Sequence, residues 1–241
     1  MHKALILSDV MVYSQDAVIK SLSVLSKKQT AGGLNRDPLQ NSLCLVDATA
    51  GNGYDSLFMA NALNKLNYDK SVLVHAFDVQ EQALKNTEQR LKDAACLERV
   101  CLHLKSHSLI LEALSAKFLS QDQKQFESFI GVAMFNLGFL PRSDKCIITK
   151  EETTLSALKQ LCFGFNLNLE ANKTEKNIPL IVCNGLISIH CYAGHEGGEL
   201  ETEAVLKYVK SLDSRIWKVF LYEELNKYRN RELLILIERL I

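Results

Sequence analysis

From residue 43 onward, the sequence alternates between short apolar runs and longer segments whose apolar residues recur at helical spacing. This alternation limits the fold more than any other feature, because repeated strand–helix units are typical of a parallel sheet with helices on its faces. Five such units can be followed along the chain. The predicted strands cover residues 43–49, 71–79, 99–106, 129–138 and 185–194. The predicted helices cover residues 54–66, 81–94, 108–119, 150–165 and 201–212.

The chain ends in two strand-like runs, WKVFLYEEL and ELLILIERL, joined by the short segment NKYRNR. A parallel crossover needs a dozen or more residues, so these runs are predicted to form an antiparallel hairpin. With the five units, this predicts an α/β protein whose mostly parallel seven-stranded sheet carries a C-terminal antiparallel hairpin. That arrangement is typical of the Rossmann-like, class I methyltransferase fold. The polar insert at 168–180 is predicted to be a surface loop or a frayed helix end.

Residues 1–42 precede the alternating part and are predicted to form an N-terminal extension. Helical spacing of apolar residues over about residues 8–28 indicates a helix, and the polar segment 30–42 indicates a loop. Residues 43–241 are then expected to form the α/β domain. A length of 241 residues with 47% hydrophobic content is enough for one sizeable core.

Overall composition excludes some functions and favours one compartment. The 28 basic and 28 acidic residues balance, so net charge predicts neither a polyanion binder nor an enzyme for acidic substrates. Seven scattered cysteines without a C-x-x-C pair indicate reduced, buried thiols, not disulfides or a metal site. No apolar stretch reaches the roughly 18 residues of a membrane span, and no signal peptide stands out. A soluble cytoplasmic protein without a metal is expected.

The segment VDATAGNGYD follows the first predicted strand and is predicted to bind a ligand. In open α/β sheets, ligands bind beyond the carboxyl ends of the strands, and Gly51 and Gly53 let the backbone approach a ligand closely. The third glycine of a dinucleotide-binding motif is missing, because Ser56 stands in its place. Asp47 and Asp55 would repel a pyrophosphate, whereas they suit a ligand with a positive charge and free hydroxyls.

S-Adenosylmethionine is such a ligand, since it carries an ammonium, a sulfonium and a ribose diol. Asp78 ends the second predicted strand, where its carboxylate can accept hydrogen bonds from both ribose hydroxyls. NAD is an alternative at this point, because a carboxylate in the same place also binds its ribose.

The segment MFNLGFLPRSDK, after the fourth predicted strand, carries groups suited to a substrate. The carbonyl oxygen of Asn136 can orient an amine, and Phe139 can stack on a base. Arg142 and Lys145 add positive charge where a phosphate can bind. On its own, this segment is equally typical of an ordinary loop with core phenylalanines.

The segment HCYAGHEGGELE, after the fifth predicted strand, places several glycines around His195, close to Tyr192. A histidine on a glycine-rich loop at this edge of a sheet is a candidate acid, base or substrate contact. Its spacing from His190 matches no zinc motif. A further basic set toward the C-terminus can meet nucleic-acid phosphates: Lys227, Arg229 and Arg231.

Taken together, VDATAGNGYD, AFDVQ, FNLGFLPRSDK, TTLSAL and CYAGHEGGELE resemble the YtqB-like (MnmM) family over about residues 43–240. Characterised members are tRNA 5-aminomethyl-2-thiouridine methyltransferases. The resemblance implies transfer of a methyl group from S-adenosylmethionine to the aminomethyl nitrogen of a modified wobble uridine, in the anticodon region of tRNA. The product would be 5-methylaminomethyl-2-thiouridine. Because family members are often dimers, the resemblance also implies a homodimer.

The resemblance assigns residues of this chain to a cofactor site and a reaction cleft. The cofactor site would comprise Asp47, Ala50, Gly51, Asn52, Gly53, Asp55, Asp78, Gln80, His107 and Asn136. The reaction cleft would contain Asn136, Tyr192 and His195. Within these segments, Tyr54 stands where the family usually has histidine, and NKYRNRELL lacks the family's N-x-x-x-P-P run.

The same residues leave two alternative functions open. One is a methyltransferase that acts on rRNA or on a small amine. The other is an RNA-binding module that retains a methyltransferase shell without activity. The presence of Asp47, Gly51, Gly53 and Asp78 favours an enzyme over the inactive shell.

Overall fold

The predicted alternation of strands and helices is present in the structure, a computed structural model that describes residues 9–31, 43–118, 129–138, 148–167, 176–194, 197–226 and 231–241. The helices are α1 (Val10–Ala31), α2 (Tyr54–Lys65), α3 (Glu81–Asp93), α4 (Ile110–Phe118), α5 (Glu151–Phe163) and α6 (Gly198–Lys210). The strands are β1 (Cys44–Asp47), β2 (Leu73–Asp78), β3 (Val100–Leu104), β4 (Ile130–Asn136), β5 (Phe165–Leu167), β6 (Lys176–Ile178), β7 (Ile181–Tyr192), β8 (Trp217–Glu223) and β9 (Glu232–Arg239). All five predicted strand–helix units and the terminal strand pair are confirmed.

Seven of these strands form one sheet in the order β3-β2-β1-β4-β7-β9-β8. Strands β3, β2, β1, β4 and β7 pair in parallel, whereas β9 is antiparallel to both of its neighbours. The last strand of the chain therefore lies between β7 and β8, and β8 forms the edge. This confirms the predicted α/β class and the class I methyltransferase arrangement, with a C-terminal antiparallel hairpin.

The stretch between α5 and the middle of β7 departs from the sequence prediction. Strands β5 and β6 form a separate two-stranded antiparallel sheet, so the predicted loop over 168–180 is wrong at 176–178. Strand β7 begins at Ile181, four residues before the predicted start. Asn184 has a φ of 65° and precedes Gly185, a pair typical of a turn, yet the strand continues through both.

Helices cover both faces of the seven-stranded sheet. Buried side chains of α1, α2 and α3 pack with those of the strands on one face, which we call the α1 face. Buried side chains of α4, α5 and α6 pack on the opposite face. None of the described helices combines the length and hydrophobicity needed to cross a bilayer. The six described cysteines are free thiols, and four of them are buried.

Helix α1 lies directly against the sheet, where Val18 and Leu22 are fully buried. The hydroxyl of Ser14 shares a hydrogen bond of 2.7 Å with the hydroxyl of Ser188 on β7. The hydroxyl of Ser21 donates to the carbonyl oxygen of Asn184 at 2.9 Å. These contacts show that α1 runs antiparallel to β7, so the N-terminus of α1 lies near the carboxyl ends of the strands.

Candidate functional site

The turn from β1 into α2 depends on two glycines. Gly51 has a φ of 53° and Gly53 a φ of 79°, both in the left-handed region that favours glycine. The N–H of Gly53 donates to the carbonyl oxygen of Ala50 at 2.7 Å, which closes the turn. A Cβ atom on Gly53 would lie 2.9 Å from backbone and side-chain atoms of Thr87 on α3. The glycines therefore allow both the turn and the close approach of α3.

Two buried carboxyl groups flank this turn. Asp47, at the end of β1, is fully buried and accepts hydrogen bonds from the Ser56 hydroxyl at 2.5 Å and the Thr49 N–H at 3.2 Å. Burial raises the pKa of Asp47 to about 7, and the neighbouring carboxylates of Asp55 and Asp78 add to this rise. Burial also raises the pKa of Asp55. Two carboxyl groups that are hard to ionise together would be stabilised by a nearby cation.

Asp78 reaches the same turn from the end of β2. Its Oδ2 accepts a hydrogen bond from the Gly51 N–H at 2.9 Å, and its Oδ1 accepts one from the Gln80 N–H at 2.8 Å. These bonds fix the carboxylate against the glycine turn. Each carboxylate oxygen has a further lone pair, so Asp78 can still accept hydrogen bonds from a diol.

Helix α3 holds the outer side of the turn through contacts that the sequence did not reveal. The Asn86 amide donates to the side-chain oxygen of Asn52 at 3.0 Å, and Nε of Arg90 donates to the carbonyl oxygen of Asn52 at 2.6 Å. The Arg90 guanidinium also lies 3.7 Å from the ring centroid of Tyr54, which is largely exposed. Tyr54 therefore forms a cation–π contact with α3 at the mouth of the turn.

His107 lies just after β3, next to the glycine turn that follows β1. Its Nδ1 is 3.0 Å from the carbonyl oxygen of Ala48, and its ring meets Phe135 edge-on. Burial lowers the pKa of His107 to about 4, so the imidazole is neutral and Nδ1–H must be the donor. Its buried Nε2 has no hydrogen-bond partner among the described residues. A ligand with an N–H group could satisfy this acceptor.

Asn136, at the end of β4, joins the turn to the next part of the sheet. Its N–H donates to the Thr49 hydroxyl at 2.7 Å, and its side chain hydrogen-bonds the Asp55 carboxylate. Its Cα lies opposite that of His190 on the parallel strand β7. Asn136 therefore lies between the carboxyl groups around the turn and the end of β7.

A buried glutamate, which the sequence analysis missed, anchors the segment after β4. Glu201 on α6 accepts hydrogen bonds from the Thr149 hydroxyl at 2.6 Å and the Thr154 hydroxyl at 2.7 Å. Thr149 in turn accepts the N–H of Gly138 at 2.9 Å. In the sequence, Glu201 looks like an ordinary acidic residue in the first turn of a helix. No local pattern therefore predicts that its carboxylate is buried.

Tyr192 ends β7 on the α1 face and is half-buried. Burial raises the pKa of Tyr192 to about 12, and the carboxylates of Glu232, Asp55 and Asp9 add to the rise. Its phenol therefore stays protonated at neutral pH. Because Asp55 and Asp9 act on the same ring, α2 and the N-terminus of α1 both come close to Tyr192.

The structure brings most of the predicted site residues to one edge of the sheet. By strand register, Asp78, Asp47, Asn136 and Tyr192 end β2, β1, β4 and β7 on the α1 face. We call the space beyond these four strand ends the cleft. The predicted residues Phe139, Arg142, Lys145, His195, Lys227 and Arg229 lie outside the described residues.

The remaining predicted residue of the basic set, Arg231, is engaged within the chain. Its Nε and Nη2 donate to Oε1 of Glu223 at 2.8 and 2.5 Å. Its charge is thus compensated by a carboxylate in the structure. Within the described residues, no group of three or more histidine, cysteine, aspartate or glutamate side chains is arranged to hold a metal ion.

Comparison with known proteins matches the chain to a family model and to curated proteins. The family model described as "Putative rRNA methylase" matches residues 74–168 and 166–238. The chain is 29% identical over 190 residues to the tRNA (mnm(5)s(2)U34)-methyltransferase, chloroplastic, of Arabidopsis thaliana. The match covers 78% of this chain and 61% of that protein, so the chain spans about three fifths of the relative's length.

Many solved structures match the chain, among them two that cover nearly all of it. One is a "putative rRNA-methylase" from Clostridium thermocellum, with a TM-score of 0.70 and 25% identity, covering 98% of this chain and 100% of that one. The other is a "putative methyltransferase" from Streptococcus mutans in complex with SAH, with a TM-score of 0.64 and 29% identity. It covers 98% of this chain and 100% of that one.

Proposed function

Since the chain belongs to the family described as "Putative rRNA methylase", we propose that it is a methyltransferase that uses S-adenosylmethionine and acts on tRNA. The observation that carries this proposal is the glycine turn, whose Gly51 N–H is bonded to the strand-end carboxylate of Asp78. The acceptor would be the aminomethyl nitrogen of a modified wobble uridine. The name of the Arabidopsis relative, which states mnm(5)s(2)U34, supports this choice of nucleoside.

The cofactor would lie across the strand ends of β1 and β2. Asp78 would accept the ribose hydroxyls, while Gly51, Asn52 and Gly53 would let the backbone approach the ligand. The buried carboxyls of Asp47 and Asp55 would face its positive charges, which would favour their ionised form. Ala50, Gln80 and the unused Nε2 of His107 would border the adenine. The Streptococcus mutans structure in complex with SAH supports this class of ligand.

The chain's part in the reaction would be to position and desolvate the reactants. When bound, S-adenosylmethionine supplies an electrophilic methyl group on its sulfonium. Asn136, next to Asp55, would accept an N–H of the substrate amine and aim the nitrogen lone pair in line with the methyl group. Tyr192 would line the acceptor side, and we assign His195 to the same cleft.

The tRNA would reach the cleft through its anticodon region. We propose that Phe139 stacks on a base, while Arg142, Lys145 and Arg229 meet phosphates, with Arg231 beside them. A neutral chain has little general attraction for RNA, so a homodimer would help by presenting two such surfaces. The compartment we propose is the cytoplasm, because the six described cysteines are free thiols.

Nucleoside analysis tests this function directly. The purified protein is incubated with S-adenosylmethionine and tRNA from a strain that lacks the gene, and the digested nucleosides are identified by mass spectrometry. We expect 5-aminomethyl-2-thiouridine to be converted to 5-methylaminomethyl-2-thiouridine. An unchanged tRNA profile, with methylation of rRNA or of a small amine instead, would overturn the substrate assignment.

Calorimetry with S-adenosylmethionine separates an enzyme from an inactive shell. We expect binding to the wild-type protein and a large loss of donor affinity in Asp78→Ala, with tRNA affinity largely retained. No binding to the wild type at high ligand concentration would rule out the methyltransferase. Equal losses of donor and tRNA affinity in Asp78→Ala would indicate damage to the fold instead of loss of a ligand contact.

A further inference from the structure

A histidine and a glutamate that the proposed function does not use form a pair beside Tyr192. His190 Nε2 lies 3.7 Å from Oε2 of Glu232, at the start of β9. The His190 side chain is 6% exposed and the Glu232 side chain 33% exposed, so a buried imidazole lies behind a partly exposed carboxylate. The rings of His190 and Tyr192 are stacked at a tilt, with centroids 4.2 Å apart.

Strand register places this pair at the acceptor side of the cleft. Glu232 lies opposite Tyr192 across the β7–β9 pairing, and His190 lies opposite Asn136 across the β4–β7 pairing. The carbonyl oxygen of His190 also accepts the N–H of Leu137 at 2.8 Å. The pair is thus one strand away from Asn136, which would hold the amine.

Methylation of an amine requires a proton acceptor or a deprotonated substrate. A primary amine titrates roughly between pH 8 and 10, so it arrives mostly as an ammonium, which has no lone pair for the attack. The Tyr192 phenol is protonated at neutral pH, and the low pKa of about 4 makes the His107 imidazole a weak base. His75 and His103 stack near Phe77 on the opposite face of the sheet. Among the described histidines, His190 is the one next to Asn136 and Tyr192, where the substrate amine would bind.

We propose that Glu232 and His190 accept the proton that the substrate ammonium must lose, an inference that rests on the proposed methylation of an amine. The proton moves from the nitrogen to the Glu232 carboxylate and on to Nε2 of His190, which leaves an imidazolium next to a carboxylate. The neutral nitrogen then forms its bond to the methyl carbon, while the electron pair of the broken sulfur–carbon bond stays on sulfur. The proton returns to solvent through Glu232, the exposed member of the pair.

The surroundings of the pair set the direction of its pH dependence. Within the described residues, the charged and titratable groups around it come from several elements: Asp9 just before α1, Tyr13 on α1, Asp55 on α2, Tyr192 on β7, Tyr222 on β8, and the ion pair of Arg231 with Glu223. Carboxylates outnumber cations in this set, so the set attracts the positively charged ammonium of the substrate. An imidazole that is already protonated before the substrate binds cannot accept its proton. A low pH should therefore abolish the action of His190 as a base.

Kinetics of Glu232→Gln and His190→Gln against pH test the proposal. At about pH 7, we expect each variant to lower kcat by about 100-fold, with little change in the affinity for S-adenosylmethionine. The deficit should shrink toward about pH 9, where the substrate amine loses its proton without help. Glu238→Gln is the matched control, because it removes the same charge from the same strand at the far end of the sheet, and it should behave as wild type.

A titration of the His190 imidazole by NMR supplies a readout that needs neither substrate nor cofactor. Glu232→Gln should lower the pH at which the imidazole protonates, because the carboxylate no longer stabilises the imidazolium, whereas Glu238→Gln should leave it unchanged. Retained affinity for S-adenosylmethionine shows that the His190→Gln protein is folded.

The outcomes separate this inference from the proposed function. An active wild type whose variants keep full rate, or lose the same factor at every pH, would overturn the proton acceptor alone. An unmoved imidazole titration in Glu232→Gln would overturn the pairing of the two side chains. A wild type that methylates no tRNA would overturn the proposed function, and the inference with it.

Discussion

At Asp47, burial opposes the ionisation of a carboxyl group. Its carboxyl group is fully buried, accepts two hydrogen bonds, and has the carboxyl groups of Asp55 and Asp78 nearby. Within the described residues, no basic side chain contributes to the pKa of Asp47. An arrangement of this kind stores unfavourable energy in the free protein that a cationic ligand can relieve.

The pH dependence of stability should reveal this conflict. In the folded protein the pKa of Asp47 is about 7, against an ordinary value of 3.8, so the folded state holds a proton that the unfolded chain has lost between these pH values. Stability should therefore fall as pH rises from about 4 to 7, by at most about 4 kcal/mol. Asp47→Asn should remove most of this slope in urea unfolding measured at about pH 5 and pH 8.

The control for this prediction is Asp93→Asn, which changes an exposed carboxylate at the end of α3. It should keep the wild-type slope, because Asp93 lies on the surface away from the carboxyl groups around the glycine turn. If Asp47→Asn and the wild type lose stability in parallel between these pH values, the conflict at Asp47 does not exist.

Residues whose role follows from local chain geometry could be predicted from the sequence, whereas those that act across the fold could not. Gly51 and Gly53 follow a strand directly, and Asp78 ends one, so the spacing alone placed them together. Arg90 contacts Asn52 from 38 positions away, and Glu201 reaches Thr154 from 47 positions away. Such contacts depend on how helices pack, which no local pattern specifies.

Among the elements, α1 shows how a segment predicted as an extension is tied to the sheet. The Tyr68 hydroxyl donates to the carbonyl oxygen of Leu22 at 2.7 Å, in addition to the two serine contacts with β7. Leu22 itself is fully buried against the strands. The helix of the predicted extension therefore packs on the predicted domain through buried side chains.

Two substitutions in α1 test whether the helix unfolds together with the sheet. Leu22→Ala removes a fully buried side chain and should lower the free energy of unfolding by about 2–5 kcal/mol. Val24→Ala changes a side chain that is 43% exposed on the same helix and should cost less than about 0.5 kcal/mol. Both values come from urea unfolding followed by circular dichroism.

The decisive comparison is between the two α1 variants. They share the helix and the loss of an aliphatic side chain, so a difference between them reports packing against the sheet. Equal and small effects would mean that α1 unfolds separately from the sheet.

The C-terminal hairpin was predictable as a pair of strands, but its place in the sheet was not. The short link determines the antiparallel pairing of β8 with β9. Insertion of β9 beside β7 depends on matching apolar residues such as Ile235 with Ile189, more than 40 positions apart. That placement brings Glu232 next to His190, which explains why the sequence analysis did not predict this pair.

At the scale of the whole molecule, the cleft divides into two halves along the sheet. The ends of β2 and β1 carry Asp78 and Asp47, with the glycine turn between them. The end of β7 carries Tyr192 and the start of β9 carries Glu232, and the N-terminus of α1 lies nearby. Asn136 on β4 lies where the halves meet, so a donor bound over the first half would present its methyl group to an acceptor bound over the second.

RNA binding must arise from local charge, because the chain has no net charge. If Arg142, Lys145 and Arg229 each meet a phosphate, tRNA affinity should fall steeply with salt as counterions are released. Replacing all three with alanine should make the slope of log affinity against log salt shallower by about 0.7–0.9 per lost contact. Fluorescence anisotropy with labelled tRNA between roughly 50 and 200 mM salt measures this slope.

The control for the salt measurement is the double variant Lys207→Ala and Lys210→Ala. Both lysines are exposed near the end of α6, which packs on the face of the sheet opposite α1. Their removal lowers the positive charge of the chain by a similar amount without touching the proposed contact surface. If the control reduces the slope as much as the triple variant does per charge, tRNA responds to overall charge and not to a docking surface at the cleft.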